Sequence, residues 1–468
     1  MFSLLLQHRV GCEQSNSVIV VVFPHVGKHQ RCSYSAQPAN APPHSDPPVH
    51  ELRKTRQYEP PYYGQQHAST ITWKVKSTLL DLFADPITLT RQLVDIASPS
   101  HEEQALCDAL EEALTATIAS GALQQPLTME RIANNLIVRT DLGFDQRVIL
   151  AGHLDTVPVA DNVPSAFITD DQGQQALFGC GTVDMKSGDA VFLHTLLQAC
   201  RAGTLAVDVT LILYEAEEVA ERFNGLKHLA ETRPELLQGD VAILGEPTAA
   251  TIEAGCQGSI RLKITAHGTR AHSARSWMGH NAMHDLAAVI SRVARYTARN
   301  IVIDGCEYRE GLNVTWCESG VATNTIPDQA WMFVNFRFAP DRSVEQALTH
   351  LLEVLELSPE QRVAPDAAPQ LPDGTITYVI DDACAGALPG LDQSAAAELV
   401  AATGETPRAK YGWTDVSRFA ALGIPAVNFG PGDPSFAHKR DEQCPLWMIT
   451  RVSEVLHDYL TGNSVTNA

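Results

Sequence analysis

Four short apolar runs, each leading into acidic or histidine residues, constrain this chain more tightly than any other feature of its sequence. They are Arg147–Ala151 (RVILA), Asp208–Tyr214 (DVTLILY), Val241–Leu244 (VAIL) and Pro425–Phe429 (PAVNF). Runs with little polar alternation suit parallel strands whose two faces are both covered by helices. Helical patterns at Gly188–Ala202 and Gly225–Glu231 fall between them, which is the order of an α/β fold. The first run leads to His153-Leu154-Asp155, the second to Glu217-Glu218, the third to Glu246-Pro247 and the last to His438. A further acid, Asp184, sits in the loop GCGTVDMKSG ahead of a helix. Open α/β sheets bind ligands beyond the carboxyl ends of their strands, so these residues are expected to meet at one edge.

Between about Ala254 and Asp382 the pattern changes. Ser259–His267, Gly311–Ser319, Ala330–Ala339 and Thr375–Ile380 read as strands, and Asn281–Thr297 and Val344–Glu356 as helices. The order βαββαβ is ferredoxin-like. We therefore expect a catalytic α/β domain with a mostly parallel mixed sheet, built from 79–253 and 383–468. A ferredoxin-like domain, 254–382, is inserted into it. Sustained periodicity begins near Thr78 with an amphipathic helix in LLDLFADPITLTRQLVDIASPS, and a second helix is expected over His101–Ala119.

Residues 1–78 read differently. They are rich in proline, carry little periodicity, and hold eight basic against four acidic side chains, leaving 26 basic and 51 acidic for the rest. We read them as an N-terminal extension, either a disordered tail or the product of a start codon set too far upstream. Its apolar run Val18–Pro24 is too short to span a membrane and lacks a basic start, so no signal peptide is expected. The net charge of −21 makes nucleic acid and anionic membranes poor partners. Ten scattered cysteines without a C-x-x-C pair point to reduced thiols in a cytoplasmic protein.

Two histidines and several carboxylates in one cleft suit Zn²⁺ or a similar borderline ion. Five ligands with one bridging carboxylate are enough for two metals about 3.5–4 Å apart. Asp184 is the natural bridge, with His153 and Glu246 completing one site and Glu218 and His438 the other. Asp155, two positions after His153, can accept the imidazole N–H and set its tautomer. Glu217 is the candidate general base, taking a proton from water and returning it to a leaving amine. Each residue alone has an ordinary explanation, as a turn, a helix cap or an exposed loop. Five separate elements ending alike do not.

GHLDTVP, GCGTVDMKSG, the Glu217-Glu218 pair, GEPT and the late His438 resemble the five metal and catalytic motifs of the co-catalytic zinc aminoacylase/carboxypeptidase metallopeptidases. The resemblance runs from Leu80 to Leu460. It implies two Zn²⁺ per subunit, with Co²⁺ as a substitute, held by His153, Asp184 and Glu246 and by Asp184, Glu218 and His438. It implies catalytic roles for Asp155 and Glu217, and a homodimer through the inserted domain. His272 would then reach into the partner's active site and stabilise an oxyanion. Longer phrases, among them EEVAERFNGLKHL and KYGWTDVSRFAALGIPAVNFGPGDPSFAHKRDEQCP, resemble the branch that removes succinate from N-succinyl-L,L-2,6-diaminopimelate, a lysine and peptidoglycan precursor. In that branch Arg337 would hold the succinyl carboxylate by its guanidinium fork. Asn324, Thr414 and Ser259 are further candidate substrate contacts. Cys256-Gln257 stands where a related branch has an arginine pair, and Trp413–Ser417 where it has a Gly-Thr-Ser-Asp-Gly loop. Arg418, Arg275 and Lys439 could supply replacement charge.

The expected partner is therefore a small N-acyl amino acid. Rival readings keep the chemistry and change the substrate: an acetylornithine deacetylase, an N-acyl-amino-acid amidohydrolase or a dipeptidase. A reading from another class is an inactive metal- or peptide-binding dimer on the same fold, which the intact Glu217 argues against.

Overall fold

The apolar runs form the middle of an eight-stranded mixed sheet. In the computed structural model, which describes residues 80–365 and 371–463, its strand order is Thr128–Ile132, Asn135–Arg139, Asp208–Tyr214, Arg147–His153, Val241–Leu244, Ala426–Asn428, Glu253–Ala254, Arg408–Ala409. The four central strands are mutually parallel. The Thr128–Arg139 hairpin adds an antiparallel edge, and Glu253–Ala254 joins antiparallel to Ala426–Asn428. The expectations for 1–78, including the start of the first helix, lie outside the described residues.

Both faces of this sheet are covered, which is why its strands read as unbroken apolar runs. Along Arg147–His153, Val148 and Leu150 enter one core with the helices Pro86–Val94, Gln104–Ala119, Lys186–Ala202 and Leu446–Leu460. Ile149 and Ala151 enter the other, with Leu226, Leu229, Val416 and Phe419 from the helices Gly225–Thr232 and Val416–Ala421. The first helix is shorter than its periodicity predicts. It starts at Pro86, where Asp85 caps Ile87 and Thr88 and proline needs no N–H donor. Leu80 and Leu82 still bury, in non-helical chain.

The helix Lys186–Ala202 carries the Asp184 loop at its start and must approach the strand ends closely. A Cβ at Gly188 would stand 2.2 Å from the Gly245 carbonyl oxygen. Only glycine allows this helix to lie against the segment that presents Glu246.

Residues of 258–384 form a second, fully antiparallel sheet in the order Gly311–Ser319, Gln329–Phe338, Gly258–His267, Ile376–Cys384. Ile260, Leu262, Ile264 and Ala266 alternate with polar residues and pack with Met332, Val334 and Phe336 under the helices Ala282–Arg295 and Val344–Leu355. The opposite face carries Ser259, Arg261, Lys263 and Arg337. The hairpin Asn300–Ile303/Cys306–Arg309 was not expected; it turns on Asp304-Gly305, both at positive φ. Among the described residues no helix is long and apolar enough to cross a membrane.

Candidate active site

His153 is the last residue of its strand, paired with Tyr214 across the ladder. It is buried, and its Nδ1 lies 2.9 Å from the main-chain carbonyl oxygen of Asp155. A carbonyl oxygen can only accept, so Nδ1 carries the proton and Nε2 faces Asp184 Oδ1 at 3.1 Å. This corrects the expectation that the Asp155 carboxylate takes the imidazole N–H, since its nearer oxygen stands 3.6 Å away. That carboxylate is spent on the glutamate pair. Asp155 Oδ1 accepts the Glu217 N–H at 2.9 Å, and Oδ2 accepts the Glu218 N–H at 3.0 Å and the Ser100 hydroxyl at 2.8 Å. The physical cause is local. The chain leaves the sheet after Tyr214, its amide groups lose their ladder partners, and a buried acceptor must replace them.

Asp184 divides its two oxygens between the histidines. Oδ1 faces His153, and Oδ2 lies 3.5 Å from His438 Nε2, which is also 2.9 Å from Glu218 Oε1. One ligand atom from each of His153, Asp184 and Glu218 falls within 4.8 Å of the others. Glu246 is buried beside them, and among the described residues its Oε1 has no hydrogen-bond partner. A buried carboxylate oxygen without a donor is costly unless a cation meets it. The donor set, two imidazoles with four nearby carboxylates, therefore fits borderline divalent ions, and Asp184 has the geometry of a bridge.

The electrostatics agree. Burial, reinforced by Asp184 and Glu218 and opposed by His153 and Lys410, pushes the Glu246 carboxyl up to about 7. Burial, followed by the charges of Glu246 and Glu218, holds Glu217 well above the usual carboxylate range, with His153 opposing. Hydrogen bonds to Asp184 and Glu218 push His438 up to about 11. Burial would raise Asp184, but its bonds to His153 and His438 hold it below its ordinary range.

The remaining candidates lie in two other places. His272, in the two-residue strand Ala271–His272, is exposed and accepts the Ala274 N–H through Nδ1 at 3.0 Å. Asn324 adjoins it, its carbonyl accepting the Ser273 N–H at 2.8 Å. Among the described residues neither is bonded to the histidine–carboxylate cluster. Arg337 and Ser259 are directly opposite in the second sheet, with Cys384 beyond Ser259. Among the described residues the Arg337 guanidinium has no ion-pair partner, and burial depresses its proton affinity. Thr414 is buried, and its hydroxyl donates to Asn428 Oδ1 at 2.9 Å rather than standing free for a ligand. Arg418 likewise turns inward, to Asp415 at 2.7 Å.

Sequence reasoning passed over several supports. Glu103 Oε1 accepts the Ala216 N–H ahead of the glutamate pair, and Lys410 Nζ meets the Pro247 carbonyl at 2.8 Å beside Glu246. Glu442 is buried behind the Asp184 loop. None had a legible signal, because charged residues in loops are ordinarily solvated.

An α/β sheet whose carboxyl edge gathers two imidazoles and a bridging carboxylate is a metallohydrolase arrangement. The chain belongs to Peptidase family M20/M25/M40, whose profile matches residues 149–462. It is 54% identical over 383 residues to the succinyl-diaminopimelate desuccinylase of Corynebacterium glutamicum, covering 82% of this chain and 98% of that one. Its fold matches a tripeptidase from Staphylococcus aureus with a TM-score of 0.63 at 20% identity, over 82% of this chain and 99% of the other. A dinuclear metal-binding peptidase of the M20 family from Bacillus subtilis matches at 0.54 and 16%, over 81% and 97%.

Proposed function

We propose that this chain is a dinuclear zinc amide hydrolase that removes succinate from N-succinyl-L,L-2,6-diaminopimelate and releases L,L-diaminopimelate. The observation that carries the chemistry is Asp184, whose two oxygens face His153 and His438 separately while Glu246 Oε1 lacks a donor among the described residues. The choice of acyl group is supported by the likeness to the Corynebacterium enzyme over nearly its whole length.

His153, Asp184 and Glu246 would hold one zinc ion, and Asp184, Glu218 and His438 the other. When bound, the pair supplies Lewis-acid polarisation of the amide carbonyl and acidifies water. Glu217 takes the proton of the attacking water and delivers it to the departing amine. Its burial among carboxylates gives it the raised proton affinity this exchange needs. Asp155 holds Glu217 and Glu218 by their amides, so base and ligand move as one unit. Arg337 pairs with the succinyl carboxylate, Ser259 stands opposite it, and Asn324 contributes a weaker contact.

His272, exposed in its own chain, would act across a homodimer formed by the inserted segment 254–382, donating to the developing oxyanion of the partner. The catalytic domain is then 79–253 with 383–468, and the enzyme works in the cytoplasm. The test is a substrate panel on zinc-loaded protein. The succinylated diaminopimelate should give the highest kcat/KM; faster turnover of acetylornithine, another acyl amino acid or a dipeptide would overturn the assignment.

A further inference from the structure

Glu442 is four residues after His438, inside a charged stretch (HKRDEQCP), yet it is 1% exposed. A single oxygen, Oε1, accepts three main-chain N–H groups: Gly181 at 3.0 Å, Val183 at 2.8 Å and Asp184 at 3.1 Å. Its own carbonyl accepts the Gly179 N–H at 3.0 Å. The residues that follow, Gln443–Pro445, pair antiparallel with Gln175–Phe178, the strand that runs into this loop. Glu442 is thus fixed by a ladder on one side and clamps the loop's unpaired amides on the other.

The loop cannot satisfy those amides itself. Between Phe178 and the helix start at Lys186 it makes turns rather than ladder bonds, and Val183 is fully buried. Buried N–H groups need an acceptor, and a carboxylate oxygen supplies one with room for several donors. One donor is the amide of Asp184, whose side chain faces both histidines. The same short segment, 438–442, also delivers His438. Glu442 therefore sets the position of the bridging carboxylate relative to a histidine on the far side of the centre.

We infer that Glu442 is a positioning residue of the metal centre, registering the Asp184 loop against the His438 turn so that both reach the same pair of cations. The inference rests on the metal-binding part of the proposed function and not on the identity of the substrate.

The test is Zn²⁺ binding by full-length Glu442→Gln and Glu442→Ala, measured by competition with a chromophoric chelator, beside the melting temperature of each metal-free protein. Loss of an outer hydrogen-bond partner of this kind typically costs 10–100-fold in metal affinity. Gln, which keeps one carbonyl oxygen but loses the charge, should weaken Zn²⁺ about tenfold, and Ala about 100-fold, with metal-free melting close to wild type. Excess Zn²⁺ should restore kcat in the Gln variant. If Ala does not fold, Gln decides alone. Wild-type Zn²⁺ affinity in the Gln variant overturns the inference, as does a loss of affinity matched by an equal fall in metal-free stability. Absence of Zn²⁺ binding by the wild-type chain would instead overturn the metal-centre reading itself.

Discussion

At the carboxyl edge of the eight-stranded sheet, His153 and Asp155 are tied to Asp184, Glu217 and Glu218 by bonds of 2.9–3.1 Å. On the four-stranded sheet Arg337 has no ion-pair partner among the described residues, and His272, in the separate strand Ala271–His272, accepts the amide two residues on. The first group is assembled within one chain and, among the described residues, leaves the Glu246 Oε1 orphaned, as a cation site should. In the proposed function the second group finds its counterparts outside the chain: a substrate carboxylate for Arg337, a second subunit's site for His272. In that reading the first region holds the metal ligands and the base, and the second adds substrate recognition and an oxyanion donor.

That contrast can be broken most sharply at the base. Glu217→Ala should lower kcat by about 10²–10⁴-fold, the range of a lost general base, while zinc content stays near wild type. Metal loss in step with activity would make Glu217 a ligand instead. His272→Ala should cost about 10²–10³-fold in kcat, typical of a lost oxyanion donor, with no change in melting temperature. Mixing the two inactive variants should recover activity, because a heterodimer rebuilds one intact site from Glu217 of one chain and His272 of the other. No recovery would confine His272 to its own subunit.

Arg337→Ala should raise KM by about 10–100-fold, the 1.4–2.8 kcal/mol scale of one charge-assisted contact, and leave folding untouched because the side chain has no ion-pair partner among the described residues. Arg337→Lys should recover little, since a point charge cannot replace a fork. A fall in melting temperature would show Arg337 to be structural.

The smallest effect is in pH. Glu246 has a folded value near 7 against 4.5, so the metal-free fold binds more protons than the unfolded chain between those values and loses stability as pH rises through them. His438, raised from 6.5 to about 11, extends the same sign: its contribution is full below 6.5 and lost as pH climbs to 11. Metal-free protein should therefore be most stable in mild acid in urea titrations, and zinc should reverse the trend by displacing those protons. A flat metal-free profile would show that the cluster is open to water.

Much of this was legible before folding. Asp208–Tyr214 and Val241–Leu244 match their observed strands, because full burial leaves an unbroken apolar run. The βαββαβ order survives with shifts of one or two residues except at its last strand, which extends to Cys384. The Asp304-Gly305 hairpin had its signal and was passed over in a stretch too short for periodicity. The Thr128–Arg139 hairpin had less: its outer strand is half-exposed, so polar residues interrupt it.

The chemistry of the site was also legible, since five separate elements that each present a histidine or carboxylate at one sheet edge share few other uses. That such residues meet could be read from the chain, because burial periodicity and strand ends are local properties. Who bonds to whom emerged on folding. His153 takes the Asp155 carbonyl rather than its carboxylate, Asp155 holds the glutamate pair, Thr414 turns to Asn428, and Glu442 leaves its charged neighbours for the amides of 181–184. The choices of Asp155 and Glu442 depend on which main-chain groups are stranded without a ladder partner, and all of them are set by the path of the folded chain.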